Sequence, residues 1–365
     1  MRCRQKILIT LLVLGVAATK ATANKVLTYY RLINRAELAI CHKDLTAAGK
    51  LYQQAFIINP HKAAYHDLSN AFHCAMDRKQ TAEAAACFKA MCKAGIPAKN
   101  LAEILAIYPD DSIKILGWAV PYPEVGSDHT FLADTIAAMY VQDQGVRNYF
   151  LASHPRGNYM NDSVRAVDQA NAVRLYHLVK TYGLSACMNH TDEMKEQVIT
   201  ILLHHMQSCN QKVRPLFDTI LYNGIFSFDI TPSLFEMMIN AAMGAYKDQC
   251  FRYKGVVLKL PLQVEFGAYG FGREQEIWPK YLPVKEETAI NQERQKAGMA
   301  SLADVREKII FSKAAAKMNS SYAKYHLAVA AVYTDAQDEK ERDLMKREYL
   351  KFKPRKKENA LHAKE

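Results

Sequence analysis

Between Leu132 and Phe150 the apolar side chains fall at Leu132, Ile136, Met139, Val146 and Phe150, a helical spacing that predicts one face turned toward a core. One place in that stripe is polar. Asp143 occupies it, with Gln144 beside it and Arg147 one turn on. A carboxylate aimed at a core must find a partner or give up its charge. The next two helical stretches carry the same interruption. In Ser163–Tyr182 the stripe of Val164, Val167, Leu175 and Leu178 is broken by Asn171, with Asp168 one turn earlier and Gly183 as a terminator. In the stretch capped by Thr191, Met194, Val198 and Ile201 lead in register to His205, preceded by His204. Three such gaps predict that Asp143, Arg147, Asn171 and His205 form one cluster.

The same reading places helices along most of the chain. Leu27–His42 and Leu45–Ile58 predict a hairpin stopped by Asn59-Pro60. Ala48, Tyr52, Ala55 and Pro60 have the spacing of the second helix of a tetratricopeptide repeat, in which small residues let helices approach and an aromatic fills the groove. A second unit follows about 36 residues later, with Ala84 and Phe88 at matching places and Gly95-Ile96-Pro97 at its end. Pro109-Asp110-Asp111 and Pro121–Asp128 interrupt the pattern and predict a domain junction. Further helices are expected at Val213–Tyr222, Pro232–Ala245, Glu286–Ala297, Leu302–Lys317 and Tyr322–Tyr333. Val256–Phe266 is the one convincing extended stretch, and Pro261 makes it an edge strand or short hairpin. Tyr269–Pro283 reads as a loop. The expected fold is all-α: tetratricopeptide-like hairpins over 24–108, then a helical domain over 109–317 carrying a small β element. Residues 318–365 should form a C-terminal helix and a basic, disordered tail.

Composition changes this picture at the two ends. Of the 365 residues 50% are hydrophobic and 23% charged, enough apolar content for a packed core. Met1–Ala23 reads as a signal peptide: Arg2, Arg4 and Lys6 precede the apolar run Ile7–Ala17, and Ala21-Thr22-Ala23 forms the cleavage site. That predicts an exported protein, periplasmic or extracellular, with no transmembrane segment after cleavage. The formal charge of +11 misleads as to partners. Cleavage removes Arg2, Arg4, Lys6 and Lys20, leaving +7. Residues 346–365 hold eight Lys/Arg against three Glu, so the body carries only about +2. A basic tail is not a basic face, and nucleic acid is not an expected partner. Seven cysteines survive cleavage, without a CxxC, and an odd number leaves at least one free thiol.

The middle of the chain resembles a family of uncharacterised bacterial helical domains, of the Bacteroidota type, over roughly residues 135–310. The residues that carry the resemblance are Asp143-Gln144-x-x-Arg147, Asp168-x-x-Asn171, Gly183, His205, and late in the chain Asn291, Arg294 and Gly298. Two places depart from that pattern. Leu-Ser follows Gly183 where Trp-Pro is usual, and Phe266-Gly267-Ala268-Tyr269 stands in place of Tyr-Gly-Thr-Gln. The resemblance implies a helical fold and no particular reaction.

No H-E-x-x-H, G-x-S-x-G, glycine-rich phosphate loop or EF-hand occurs. The adjacent His204 and His205 point about 100° apart on a helix and do not chelate one metal; no metal or other cofactor is expected. Two functions remain. One is an exported helical-repeat protein that binds a protein or peptide partner. The other is a hydrolase-type enzyme in which Asp143 orients a catalytic His205 as general base, with Gln144, Arg147, Asp168 and Asn171 binding, Arg147 by holding an anionic group. A structural hydrogen-bond network is the bland account of the same residues. Export makes the first testable statement: mass spectrometry of protein from its native cell should find a mature chain beginning at Asn24. An intact Met1 on cytoplasmic protein would refute it.

Overall fold

The computed structural model describes residues 24–59, 63–94, 98–119, 127–153, 162–188, 192–208, 214–242, 250–253, 256–259, 264–269, 276–279, 281–318, 320–328 and 331–335, with a few single positions beside them. The expected signal peptide and the end of the basic tail lie outside these residues. Two hairpins open the fold: α1 (24–41) with α2 (Leu45–Ile58), and α3 (Tyr65–Asp77) with α4 (Thr81–Lys93). They are built to one plan. Lys43 and Lys79, 36 residues apart, hold φ of 63° and 59° at the two hairpin turns. In each turn that residue donates to the carbonyl three positions back, and its successor donates five back: Asp44 to Ala39, and Gln80 to Ala75. This is the Schellman closure, here made by lysine where glycine is commoner. Ala48, Tyr52 and Ala55 are fully buried on α2, as are Ala84 and Phe88 on α4.

The rest is helical with a small β element, the all-α class read from the chain. α5 (Ala98–Ile107), a 3-10 turn (Pro109–Asp111) and α6 (Ser112–Leu116) follow the hairpins. Then come α7 (Ser127–Ser153), α8 (Asp162–Tyr182), α9 (Leu184–Met188), α10 (Asp192–Ser208), α11 (Arg214–Phe226) and α12 (Pro232–Ala241). β1 (Cys250–Tyr253) and β2 (Val256–Lys259) form an antiparallel pair. β3 (Val264–Tyr269) is the centre of a second sheet, antiparallel to β4 (Glu276–Pro279) and parallel to β5 (Ala331–Asp335). α13 (Val284–Lys296) and α14 (Leu302–Lys317) stand between β4 and β5. Among the described residues no helix is long and apolar enough to cross a membrane.

Three expectations are corrected. Val256–Phe266 is not one strand but parts of two strands in different sheets, split around Leu262. Tyr269–Pro283 contains a strand, β4, rather than loop alone. The helix expected over Tyr322–Tyr333 is a 3-10 turn at Ser321–Lys324, an extended run and then β5. Val332, Tyr333 and Thr334 are β-branched or aromatic, and a ready partner in β3 decides their state. The small core also reaches past residue 108: Ile115 packs with Phe72, Phe88 and Ile104, and Trp118 meets the Phe88 ring.

One apolar core runs from Val26 on α1 to Tyr325 near the end, so the first hairpin is part of the large body. Gly298 shows how tightly they join. Its φ is +71°, and a Cβ there would lie 3.2 Å from the Tyr30 ring and 3.3 Å from Leu27. Two buried ion pairs complete the joint. Glu37 on α1 meets Lys308 on α14, and Glu236 on α12 meets Arg294 on α13. Arg294 has no exposed surface and also donates to the carbonyls of Leu262 and Ala300. Burial raises the Glu236 carboxyl pKa above its ordinary value, and the Arg294 guanidinium opposes that rise. Arg294→Leu should therefore cost about 3–5 kcal/mol by stranding Glu236, and adding Glu236→Leu should recover much of it. Chemical unfolding of the two variants checks this; equal losses in the single and the double variant would contradict it.

Candidate functional site

Helices α7, α8 and α10 pack against one another and bring Asp143, Gln144, Arg147 and Asp168 into one network. Asp143 is 1% exposed and lies at the centre. Its Oδ1 accepts from Arg147 Nη1 at 2.7 Å, one turn along the same helix. Its Oδ2 accepts from Gln144 Nε2 at 2.8 Å and from His204 Nδ1 at 2.7 Å. Arg147 turns its other nitrogen to Asp168 Oδ1 on α8, also at 2.7 Å. Asn171, one turn after Asp168, donates from Nδ2 to the carbonyl of Met139 at 3.1 Å. One guanidinium thus bridges two carboxylates from two helices, and a third helix adds a histidine.

The histidine bonded to Asp143 is His204, where the sequence pointed to His205. His205 does lie in the apolar stripe, 1% exposed, its ring 5.3 Å from that of Phe217 on α11. Burial holds its pKa down at about 4, so it is neutral at ordinary pH. His204 is on the flank of the stripe, with its side chain 23% exposed. A carboxylate oxygen can only accept, so Nδ1 of His204 carries a proton and donates it to Asp143. That is the chemical capability of this cluster: an oriented imidazole at its rim. Arg147, expected to hold an anionic group, directs one bond from each terminal nitrogen to a carboxylate of the protein itself.

A second polar constellation, unsignalled in the sequence reading, lies on the hairpins. After α14 and the 3-10 turn the chain, extended at Tyr325, runs through residues 325–328 outside any helix or strand and meets α1 and α3. Asn70 on α3, fully buried, donates from Nδ2 to the His326 carbonyl and accepts the His326 amide on Oδ1, both at 2.8 Å. Glu37 Oε1 on α1 accepts the Ala328 amide at 2.8 Å, while its Oε2 holds Lys308. Asp77, at the end of α3, takes the Tyr325 hydroxyl at 2.9 Å on one oxygen and the Lys324 ammonium on the other. Lys324 also lies 4.9 Å over the Tyr108 ring. Burial keeps the Tyr325 hydroxyl protonated well above its usual range, so it donates. Burial, with Lys324 and His326 nearby, pushes His73 down to about 3; its neutral ring meets the Tyr108 hydroxyl at 3.0 Å. Glu37 was detectable by the rule that found Asp143. It interrupts the stripe of Val26, Tyr30, Ile33 and Ile40.

An open cleft of about 760 Å³ lies between the end of α1 and helices α13 and α14. Its wall carries Arg306, paired with Glu287 and stacked 4.6 Å from the Tyr281 ring, so that charge is already engaged. No family model, no curated protein and no solved structure matches this chain.

The buried His205 predicts a pH dependence. Unfolded, it takes up a proton below about pH 6.5; folded, only below about 4. Between those values the unfolded state binds more protons, so the contribution costs stability as pH falls. Wild type should lose about 2–3 kcal/mol more than His205→Leu between pH 7 and pH 4.5. Parallel denaturation curves at the two pH values would show that His205 has no such role.

Proposed function

We propose that this is an exported helical-repeat protein that binds a protein or peptide partner in an extended conformation, along the hairpin helices α1 and α3. One observation carries the reading. Glu37 and Asn70, buried on those helices, hold the main chain of an extended segment by its amides and carbonyl. Main-chain groups are common to every peptide, so this mode takes extended polypeptide as a class and leaves specificity to neighbouring side chains. Two hairpins with one turn geometry, set 36 residues apart, support the tetratricopeptide-like account of this region. The N-terminal pattern of Met1–Ala23 supports export.

The family resemblance is also proposed, and its residues are coherent in position. Asp143, Gln144, Arg147 and Asp168 share one network. Asn291 accepts the Leu302 amide at the start of α14, Arg294 fills the joint with Glu236, and Gly183 and Gly298 hold φ of 87° and 71°. Those roles are structural, which favours binding over chemistry as the function of the whole.

A hydrolase-type enzyme at Asp143, Arg147, Asp168 and Asn171 is the second reading. It rests on the oriented, part-exposed His204, which would replace His205 as general base.

Random peptides displayed on beads and selected on the full-length protein would test the first reading. N-methylating the two peptide amides that take the places of those of His326 and Ala328 removes two hydrogen bonds of about 0.5–1.5 kcal/mol each from the incoming peptide alone, so the methylated peptides should bind roughly tenfold more weakly. No enrichment, or equal binding of methylated and unmethylated peptides, would remove the proposal. A hydrolytic activity lost in His204→Ala and kept in Asn70→Ala would favour the second.

A further inference from the structure

The groove just described is filled by the protein itself. We propose that Lys324–Ala328 is a displaceable occupant, and that the external ligand is an extended peptide carrying a basic residue followed by tyrosine. This rests on the peptide-binding reading and gives it a ligand class and a means of control.

The contacts fall in sequence order along the segment. Lys324 and Tyr325 both end on Asp77, one on each carboxylate oxygen. His326 is held by both main-chain groups on Asn70, and Ala328 by its amide on Glu37. In extended chain, residues two apart present the same side, so the spacing of His326 and Ala328 suits two acceptors on neighbouring helices. Side-chain selection thus falls on Lys324 and Tyr325, with Leu327 half-buried against the apolar core as a further contact. The acid of Asp77 selects the cation, and the buried pocket beside His73 selects the ring, with their rings 5.9 Å apart. At positions 326 and 328 the side chains are exposed, and the groove takes only main chain. A peptide from another molecule with the same two residues would offer every one of these groups.

The segment is also placed to let go. Lys324 ends the 3-10 turn, and residues 325–328 belong to no helix or strand. On one side α14 is fixed by Lys308 against Glu37 and by Asp304, which accepts from Asn34 at 2.8 Å. On the other, β5 is held by its pairing with β3. Both neighbours have their own attachments, so residues 325–328 can lift without unravelling either. A tethered occupant acts at an effective concentration on the order of millimolar, and a free peptide must compete with it. Weakening the tethered segment therefore raises the apparent affinity for the free one.

The test uses full-length protein and a fluorescent synthetic peptide with the sequence of Ser321–Ala328, read by anisotropy. Lys324→Ala and Tyr325→Phe each loosen the internal segment while keeping most of its packing. Combined, they should bind the peptide roughly tenfold tighter than wild type, and adding Asp77→Asn, on the groove side, should cancel the gain. In wild type, saturating peptide should speed hydrogen exchange at the His326 and Ala328 amides. Unchanged affinity in the loosened variant, or amides that stay protected at saturation, would overturn the proposal. Selected peptides that need their main-chain amides yet bind the loosened variant no better would overturn it while leaving the peptide-binding function standing. Absence of any peptide whose binding falls on amide methylation would remove both.

Discussion

A charge taken out of water must meet its opposite, and much of this fold is arranged around that requirement. Glu37 and Lys308 lie 271 residues apart in the chain and are both nearly inaccessible. Neither helix can bury its charged residue alone, so α1 and α14 have one acceptable mutual position. The second oxygen of Glu37 then takes the Ala328 amide, which adds the C-terminal run to the same joint. Glu236 and Arg294 do the equivalent for α12 and α13, with the carbonyls of Leu262 and Ala300 completing the shell of the guanidinium. Such pairs add little net stability over apolar residues of the same shape, but breaking one is costly. Their effect is on register.

What the sequence revealed follows the range of the forces involved. Helices fixed by local chemistry were legible almost to the residue. α2 begins beyond Asp44, whose side chain accepts the Ala47 amide, and α14 begins in a capping box of Ser301 and Asp304. β5 was not legible, because its state depends on β3, more than sixty positions earlier, and a local window holds nothing of that partner. The polar network was half legible. A charged residue in an apolar stripe announces burial, and Asp143, Asp168, Asn171 and His205 are all buried. Burial is not partnership. The stripe marks the face toward the core, whereas a carboxylate at the edge of that core finds its donor on the flank, where His204 lies. Helical phase separates neighbours by about 100° but does not say which of the two a third helix will approach.

The groove on α1 and α3 was hidden for another reason. Asn70, Asp77 and Glu37 are ordinary helix residues, and they acquire a role only once an extended segment crosses them. From Asp67 to Ala75 every residue of α3 is buried, so this helix has no solvent face for its polar groups to occupy. Asp67 takes the Tyr29 hydroxyl, and burial raises its carboxyl to about 7. Asn70 has the main chain of His326. Polar side chains on a helix enclosed all round need partners from outside it, and that need brings an extended strand of backbone there.

The same accounting separates the two polar regions. At Asp143 both carboxylate oxygens and both terminal nitrogens of Arg147 make bonds to protein groups at 2.7–2.8 Å, so an incoming anion would be repelled by, or would have to exchange with, a carboxylate already in place. Nothing tethers a substitute there, and the exchange would leave a buried charge unpaired in passing. In the groove the exchange is like for like: an amide replaces an amide, a carbonyl a carbonyl, and a lysine a lysine. No charge is stranded at any stage beyond the moment of transfer to water at the open edge, where the His326 and Ala328 side chains are already exposed. Recognition is therefore easier to build at the hairpins than at the three-helix network, even though the network carries the more conspicuous residues.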